Sequence, residues 1–116
     1  MTDSFGSVKV LGHVYEEDIV IHTDGSVTKR KKKKSRDLKG IYGGHTPLSE
    51  RELKFLQKEK PAIVYVGIGY ESALPITEDA KTILSEYETV FEPTPNIAQM
   101  IDGEKRRFAA VIHVTC

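Results

Sequence analysis

A chain of 116 residues with 39% hydrophobic and 29% charged residues is sized and composed for one folded domain with its own core. No run approaches the ~18 apolar residues of a membrane span, and a lone cysteine, Cys116, excludes an internal disulfide. The formal charge is zero, yet residues 29–39 hold eight basic residues and one acid, Asp37, so the remaining nine basic and sixteen acidic residues carry a net −7.

The N-terminal residues lack a basic start followed by an apolar segment, so a cytoplasmic protein with no membrane partner is expected. Val8 to Leu11 alternate, and Gly12-His13 suits a two-residue turn with glycine at its first central position, leading to Val14-Tyr15. After Glu16-Glu17-Asp18, the β-branched run from Ile19 predicts a strand. Asp24-Gly25 predicts a hairpin turn with both central residues at positive φ, and Ser26-Val27-Thr28 starts the return. The first third therefore reads as an antiparallel meander.

Residues 29–39 read as a basic edge strand or loop. Lysines on an edge discourage edge-to-edge pairing, and an extended strand would set same-face lysines about 7 Å apart. A block of like charge also suits polyanions, which makes Lys31, Lys32, Lys33 and Lys34 the candidate polyanion-binding residues. No aromatics are interleaved to stack bases, so no specific nucleic-acid partner is expected. Disorder is the third reading of this segment.

Ser49 with Glu52 three residues later forms a capping-box pattern, with Leu48 and Leu53 spaced as its hydrophobic staple. Pro61 ends that helix. Ala62 to Val66 is an apolar run closed by Gly67-Ile68-Gly69, the pattern of a strand buried on both faces and of the centre of a sheet. Thr77 caps a second helix, with Ala80, Ile83, Leu84 and Tyr87 on its inward stripe. Thr89-Val90-Phe91 is a short strand. Thr94 as cap with Pro95 at the first helical position opens a third helix, whose apolar face is Ile97, Met100 and Ile101. Phe108 to Val114 is a second buried strand. Alternating strands and helices make this an α/β fold, a single three-layer domain over residues 1–116 around a mixed, roughly five-stranded sheet.

The chemistry is sparse. The four histidines show no metal-ligand spacing, and no metal site, cofactor or catalytic residue is expected. His113 reads as a satisfied core histidine, and Cys116 falls on the opposite face of a strand from it. Gly67 and Gly69 begin like a dinucleotide fingerprint, but the next helix starts only near Thr77, too far on to receive a pyrophosphate. Two readings stay open: the glycines let the backbone turn sharply, or the strand end carries a ligand pocket lined by Gly67, Gly69, Tyr70, Glu71, Thr94 and His45.

Gly67-x-Gly69-Tyr70-Glu71 after a buried strand, Pro93-Thr94-Pro95 opening a helix, the early Asp18-Ile-Val-Ile and Asp24-Gly25, and the ending Ala109 to Cys116 occur in one order. In this the chain resembles a small archaeal and eukaryotic domain family of unknown function. That family includes the human adipogenesis-associated domain protein and a mitochondrial assembly factor of respiratory complex I. The resemblance implies a three-layer α/β fold, no catalytic residues to carry over, and assembly or partner-binding roles. Where many relatives have Trp and Arg after the Asp-Gly turn, this chain has its lysine run and no Trp. The expected function is a non-enzymatic protein-binding or assembly module with an unknown protein partner. The alternatives are a small-molecule binder or weak enzyme at Gly67 to Glu71, and a weak nonspecific polyanion binder through Lys29 to Lys34. Exposed strand edges also lead us to expect a homodimer.

Overall fold

The structure is a computed structural model that describes residues 6–115; the N-terminal residues Met1 to Phe5 and Cys116 lie outside it. Two hairpins come first. Strands β1 (Val8–Val10) and β2 (His13–Tyr15) form their own two-stranded sheet. Their turn is Leu11-Gly12, both at positive φ, with Val10 opposite His13, so it lies one residue earlier than predicted. Strands β3 (Ile19–Ile21) and β4 (Val27–Lys29) pair antiparallel in the larger sheet. Their loop, Thr23-Asp24-Gly25, is closed by His22 N–H to the Ser26 carbonyl, and only Gly25 has positive φ. Asp24 instead turns its carboxylate onto the Ser26 N–H and hydroxyl, which holds a three-residue loop rather than the two-residue one expected. The meander is thus two separate hairpins.

The larger sheet adds β5 (Ile63–Gly67), β6 (Glu88–Glu92) and β7 (Phe108–Ile112) in the order β4-β3-β7-β5-β6. β5 is parallel to both β6 and β7, and β3 is antiparallel to β7, so the sheet is mixed and five-stranded. The central strand is β7, not β5. β5 nevertheless buries every residue, because layers cover both faces.

Helix α2 (Glu78–Leu84) carries the chain from β5 to β6 on one face, and α3 (Thr94–Asp102) carries it from β6 back across β5 to β7 on the other. Reversing the direction of travel while keeping a right-handed crossover requires that change of face. Ile21, Tyr65, Ala110 and Ile112 meet Ile97 and Ile101 of α3 and Val8 and Val10 of β1 in one core. Val64, Val66, Ala109 and Val111 meet Leu48, Leu53, Leu56, Ala80 and Leu84 in the other. Full burial of each of these valine, leucine and isoleucine side chains contributes roughly 1.5–3 kcal/mol. Met100, predicted to face inward on α3, is exposed, and Ala98 takes the inward position.

Helix α1 (Phe55–Glu59) is one short turn, stopped by Lys60 in the left-handed conformation before Pro61. The Ser49–Glu52 box does not cap it. Residues 50–52 form a 3₁₀ turn with no side-chain cap, because both side chains are engaged elsewhere. Thr77 does cap α2, accepting the Ala80 N–H at 3.1 Å. Thr94 does not cap α3: Pro93 is the cap residue, and the Thr94 hydroxyl is used across the sheet end.

Candidate functional site

The carboxyl ends of the parallel strands β5, β6 and β7 are the edge where open α/β sheets bind ligands. Asp18, directly before β3, and Arg30, directly after β4, arrive at that edge because β3 borders the end of β7 and β4 returns beside β3, with Ile19 opposite both Ile112 and Lys29. Arg30 is 2% exposed and sits inside the lysine run. Its Nε donates to Glu52 Oε1 at 2.7 Å, Nη1 to Asp18 Oδ2 at 2.9 Å, and Nη2 to Glu52 Oε2 and the Pro47 carbonyl. The Ser35 hydroxyl donates to Glu52 at 2.6 Å and pairs with Ser49. The capping box is therefore dismantled by a cation that the planar guanidinium fork suits and a lysine would not.

Asp18 collects donors on both oxygens. Oδ1 accepts the Val114 N–H, and Oδ2 accepts Arg30 Nη1 and His113 Nδ1, the latter at 2.7 Å, and forms an ion pair with the Lys32 ammonium at 3.5 Å. Burial alone would raise its pKa. The bonds from His113 and Val114 and the nearby charges outweigh burial and hold it at about 2. Burial likewise works against the charge on Arg30, and the Glu52 and Asp18 carboxylates more than offset it.

A carboxylate pKa depressed in the folded state stabilises the fold above the unfolded pKa of about 3.9, and that stability is lost as pH falls through about 2. The shift corresponds to about 2 kcal/mol. Urea unfolding at pH 5 and at pH 2.5 should show a steeper acid loss for the native chain than for Asp18→Asn. Equal slopes would remove Asp18 from the acid response.

Two concavities flank this network. The outer one, about 460 Å³, is lined by Lys29, Lys31, Lys33 and Arg36 with Glu17 and Asp18, and it meets the inner one at Arg30 and Lys32. The inner one, about 180 Å³, is lined by Lys32, Lys39, His45, Thr46, His113 and Thr115 against an apolar wall of Leu74 and Pro75. That wall is pinned to the arginine's loop by Leu48 N–H to the Pro75 carbonyl.

The structure divides the sequence-predicted residues. Thr94 is fully buried. Its hydroxyl accepts the Gly69 N–H at 3.0 Å and donates to the His113 carbonyl at 2.5 Å. Ile68 N–H to the Glu92 carbonyl and Thr94 N–H to the Gly69 carbonyl close the same crevice between β5 and β6. A Cβ on Gly67 would come within 3.2 Å of the Thr94 hydroxyl and 3.3 Å of Ile112, so this glycine serves close packing, whereas Gly69, at φ +98°, serves the turn. The Tyr70 hydroxyl donates to the Ser7 carbonyl, and Glu71 is exposed. None of Gly67, Gly69, Tyr70, Glu71 or Thr94 lines either concavity; of that set only His45 does.

Lys31 to Lys34 leave the sheet after Lys29, and Lys32–Lys34 turn as a 3₁₀ helix, so the strand spacing of about 7 Å does not apply. Lys31 and Lys33 project from the outer concavity, and Lys32 reaches Asp18. His113 is a satisfied histidine, though its partner is a buried carboxylate rather than the core. Arg30 and Thr115 escaped the sequence reading, and Asp18 and Glu52 entered it only as part of a family pattern and of a capping box. The available signal was one arginine within a run of lysines. Among the described residues, no group of three His, Cys, Asp or Glu is arranged to hold a metal, and no helix is long and apolar enough to cross a membrane.

The fold and this edge define a small three-layer α/β protein with a buried ion network beneath a basic shoulder. The chain belongs to the family of the solved protein MT938, with which it is 36% identical at a TM-score of 0.79 over all of this chain and 96% of that one. It is also similar to the conserved hypothetical protein PH1505 from Pyrococcus horikoshii OT3, 28% identical at a TM-score of 0.84 over all of this chain and 98% of that one. No family model and no curated protein matches the chain.

Proposed function

We propose that the chain is a protein-binding module that docks an acidic segment of its partner on the basic shoulder. The observation that carries this reading is the arrangement of Lys31, Lys33 and Arg36 around the outer concavity, with no ion pair to any described residue. Their neighbours Lys29 and Lys32 are engaged with Glu17 and Asp18. Buried Arg30 anchors the base of the shoulder, so its cations are presented from a rigid foundation. The resemblance to a family that includes an assembly factor supports the same reading. Glu17 and Asp18 in the lining, with no aromatic among it, favour a short acidic peptide over a continuous phosphate backbone.

Fluorescence anisotropy with a labelled Asp/Glu-rich decapeptide tests it. Lys31→Ser, Lys33→Ser and Arg36→Ser together should weaken binding at least about tenfold at low salt and leave the melting temperature in place, since all three residues are exposed. Affinity no better than for a neutral peptide would end the proposal. So would nanomolar binding of duplex DNA that survives physiological salt, where nonspecific contacts reach roughly micromolar at best.

A further inference from the structure

The inner concavity adjoins the shoulder at Arg30 and Lys32 but is built on a different group of side chains. Asp18 is an ionised carboxylate and can only accept, so His113 Nδ1 must be the donor in their 2.7 Å contact. In the neutral ring Nε2 then carries the lone pair. It lies 3.1 Å from Thr115 Oγ1, so the threonine hydroxyl donates to it. In that neutral form a carboxylate, an imidazole and a hydroxyl stand in one proton order, and Thr115 Oγ1 is left with its lone pairs as an acceptor. Thr115 is held in place by its carbonyl, which accepts the Tyr70 N–H at 2.8 Å.

Around this acceptor stand Lys32 and Lys39, with His45 and Thr46. Lys32 Nζ and His113 Nδ1 meet the same oxygen of Asp18, so the ammonium lies close to the relay. The cavity thus offers cations, one polarised acceptor and an apolar wall in about 180 Å³, below the ~300 Å³ of a drug-sized site. We propose that it binds a small oxyanion that also carries a hydroxyl, the oxyanion on Lys32 and Lys39 and the hydroxyl donating to Thr115 Oγ1. The shared chemistry covers hydroxylated phosphates and hydroxy acids.

The same three-group chain occurs once more, as Thr28, His22 and Glu59, with contacts of 2.8 and 2.7 Å. It lies at the opposite end of the sheet, since His22 follows β3, and it provides an internal control.

The probes are glycerol 3-phosphate and propyl phosphate, with glycerate and propionate as the carboxylate pair, titrated into the ¹⁵N-labelled full chain. Saturable amide shifts at Thr46, Leu74 and Thr115 are expected, with the hydroxylated member of at least one pair bound about tenfold more tightly, the upper worth of one hydrogen bond. The favoured pair identifies the oxyanion. Thr115→Val should erase that preference and keep the weaker affinity of the deoxy analogue; Thr115→Ser and Thr28→Val should keep the preference. The comparison within the native chain stands even if Thr115→Val fails to fold. Three results would each overturn the proposal: no saturable shift at these amides with any probe, shifts confined to Lys31, Lys33 and Arg36, or equal affinity for both members of each pair.

Discussion

Arg30→Ala should lower the unfolding free energy by about 3–5 kcal/mol, the range seen when one partner of a buried ion pair is removed. Glu52 bears most of this. Asp18 keeps His113, Lys32 and the Val114 N–H, whereas Glu52 loses both guanidinium bonds and keeps only the Ser35 hydroxyl. A carboxylate 8% exposed and without a cation is costly unless it takes up a proton. Adding Glu52→Gln to Arg30→Ala should therefore recover part of the loss, although Glu52→Gln alone destabilises. Arg30→Lys should fall between, since an ammonium cannot span Glu52, Asp18 and the Pro47 carbonyl together. Urea titrations of the four variants measure all of this. A loss below about 1 kcal/mol for Arg30→Ala would mean that the network is wet and of surface strength.

Thr94→Val should cost about 2–4 kcal/mol. Valine matches the shape of threonine but removes a hydroxyl that serves two backbone groups, the Gly69 N–H and the His113 carbonyl, at a fully buried site. Each group left without its partner costs roughly 1–3 kcal/mol. The loss is local in character, so hydrogen exchange at the Gly69 amide should accelerate more than exchange within β7. Thr94→Ser retains the hydroxyl and should hold most of the stability. Native-like protection of Gly69 in the valine variant would show that water replaces the hydroxyl.

The layered α/β fold was legible because its strongest signals are apolar runs. Ala62 to Val66 and Phe108 to Val114 have no polar side to present, so they had to be covered on both faces, and α2 announced itself through Thr77 and its inward stripe. Strand order was not legible. Hydropathy reports burial, and β5 and β7 are buried alike, so nothing in it placed β7 at the centre. The misread caps share one cause. Ser49, Glu52 and Thr94 are local helix signals whose side chains found partners far away in sequence, at Ser35, Arg30, Gly69 and His113. Arg30 was hidden by composition, since a buried guanidinium and five lysines read together as one solvated block. The predicted strand-end pocket shares one edge of the sheet with the two concavities. Its contents were displaced toward β3, because hydrogen bonds between Gly69 and Thr94 fill the crevice that the glycines suggested.

The central position of β7 governs how the chain can be assembled. The strand that joins β3 to β5 follows both of them in the chain, and the Asp18 carboxylate receives the Val114 N–H across 96 positions of sequence. Until that strand is made, the β3–β4 hairpin and the β5–β6 pair have no shared edge, and β3 and β5 each stand with one side of the ladder open. Pairings this distant close slowly, because the loop entropy is lost before any contact repays it. The nascent chain therefore exposes the unpaired β5 edge, apolar from Ile63 to Val66, until Phe108 to Ile112 have been made. The lysine run precedes that edge in the chain and emerges ahead of it. It places a block of positive charge on every incomplete chain, and like-charged chains repel one another during the interval when their open strands would otherwise join.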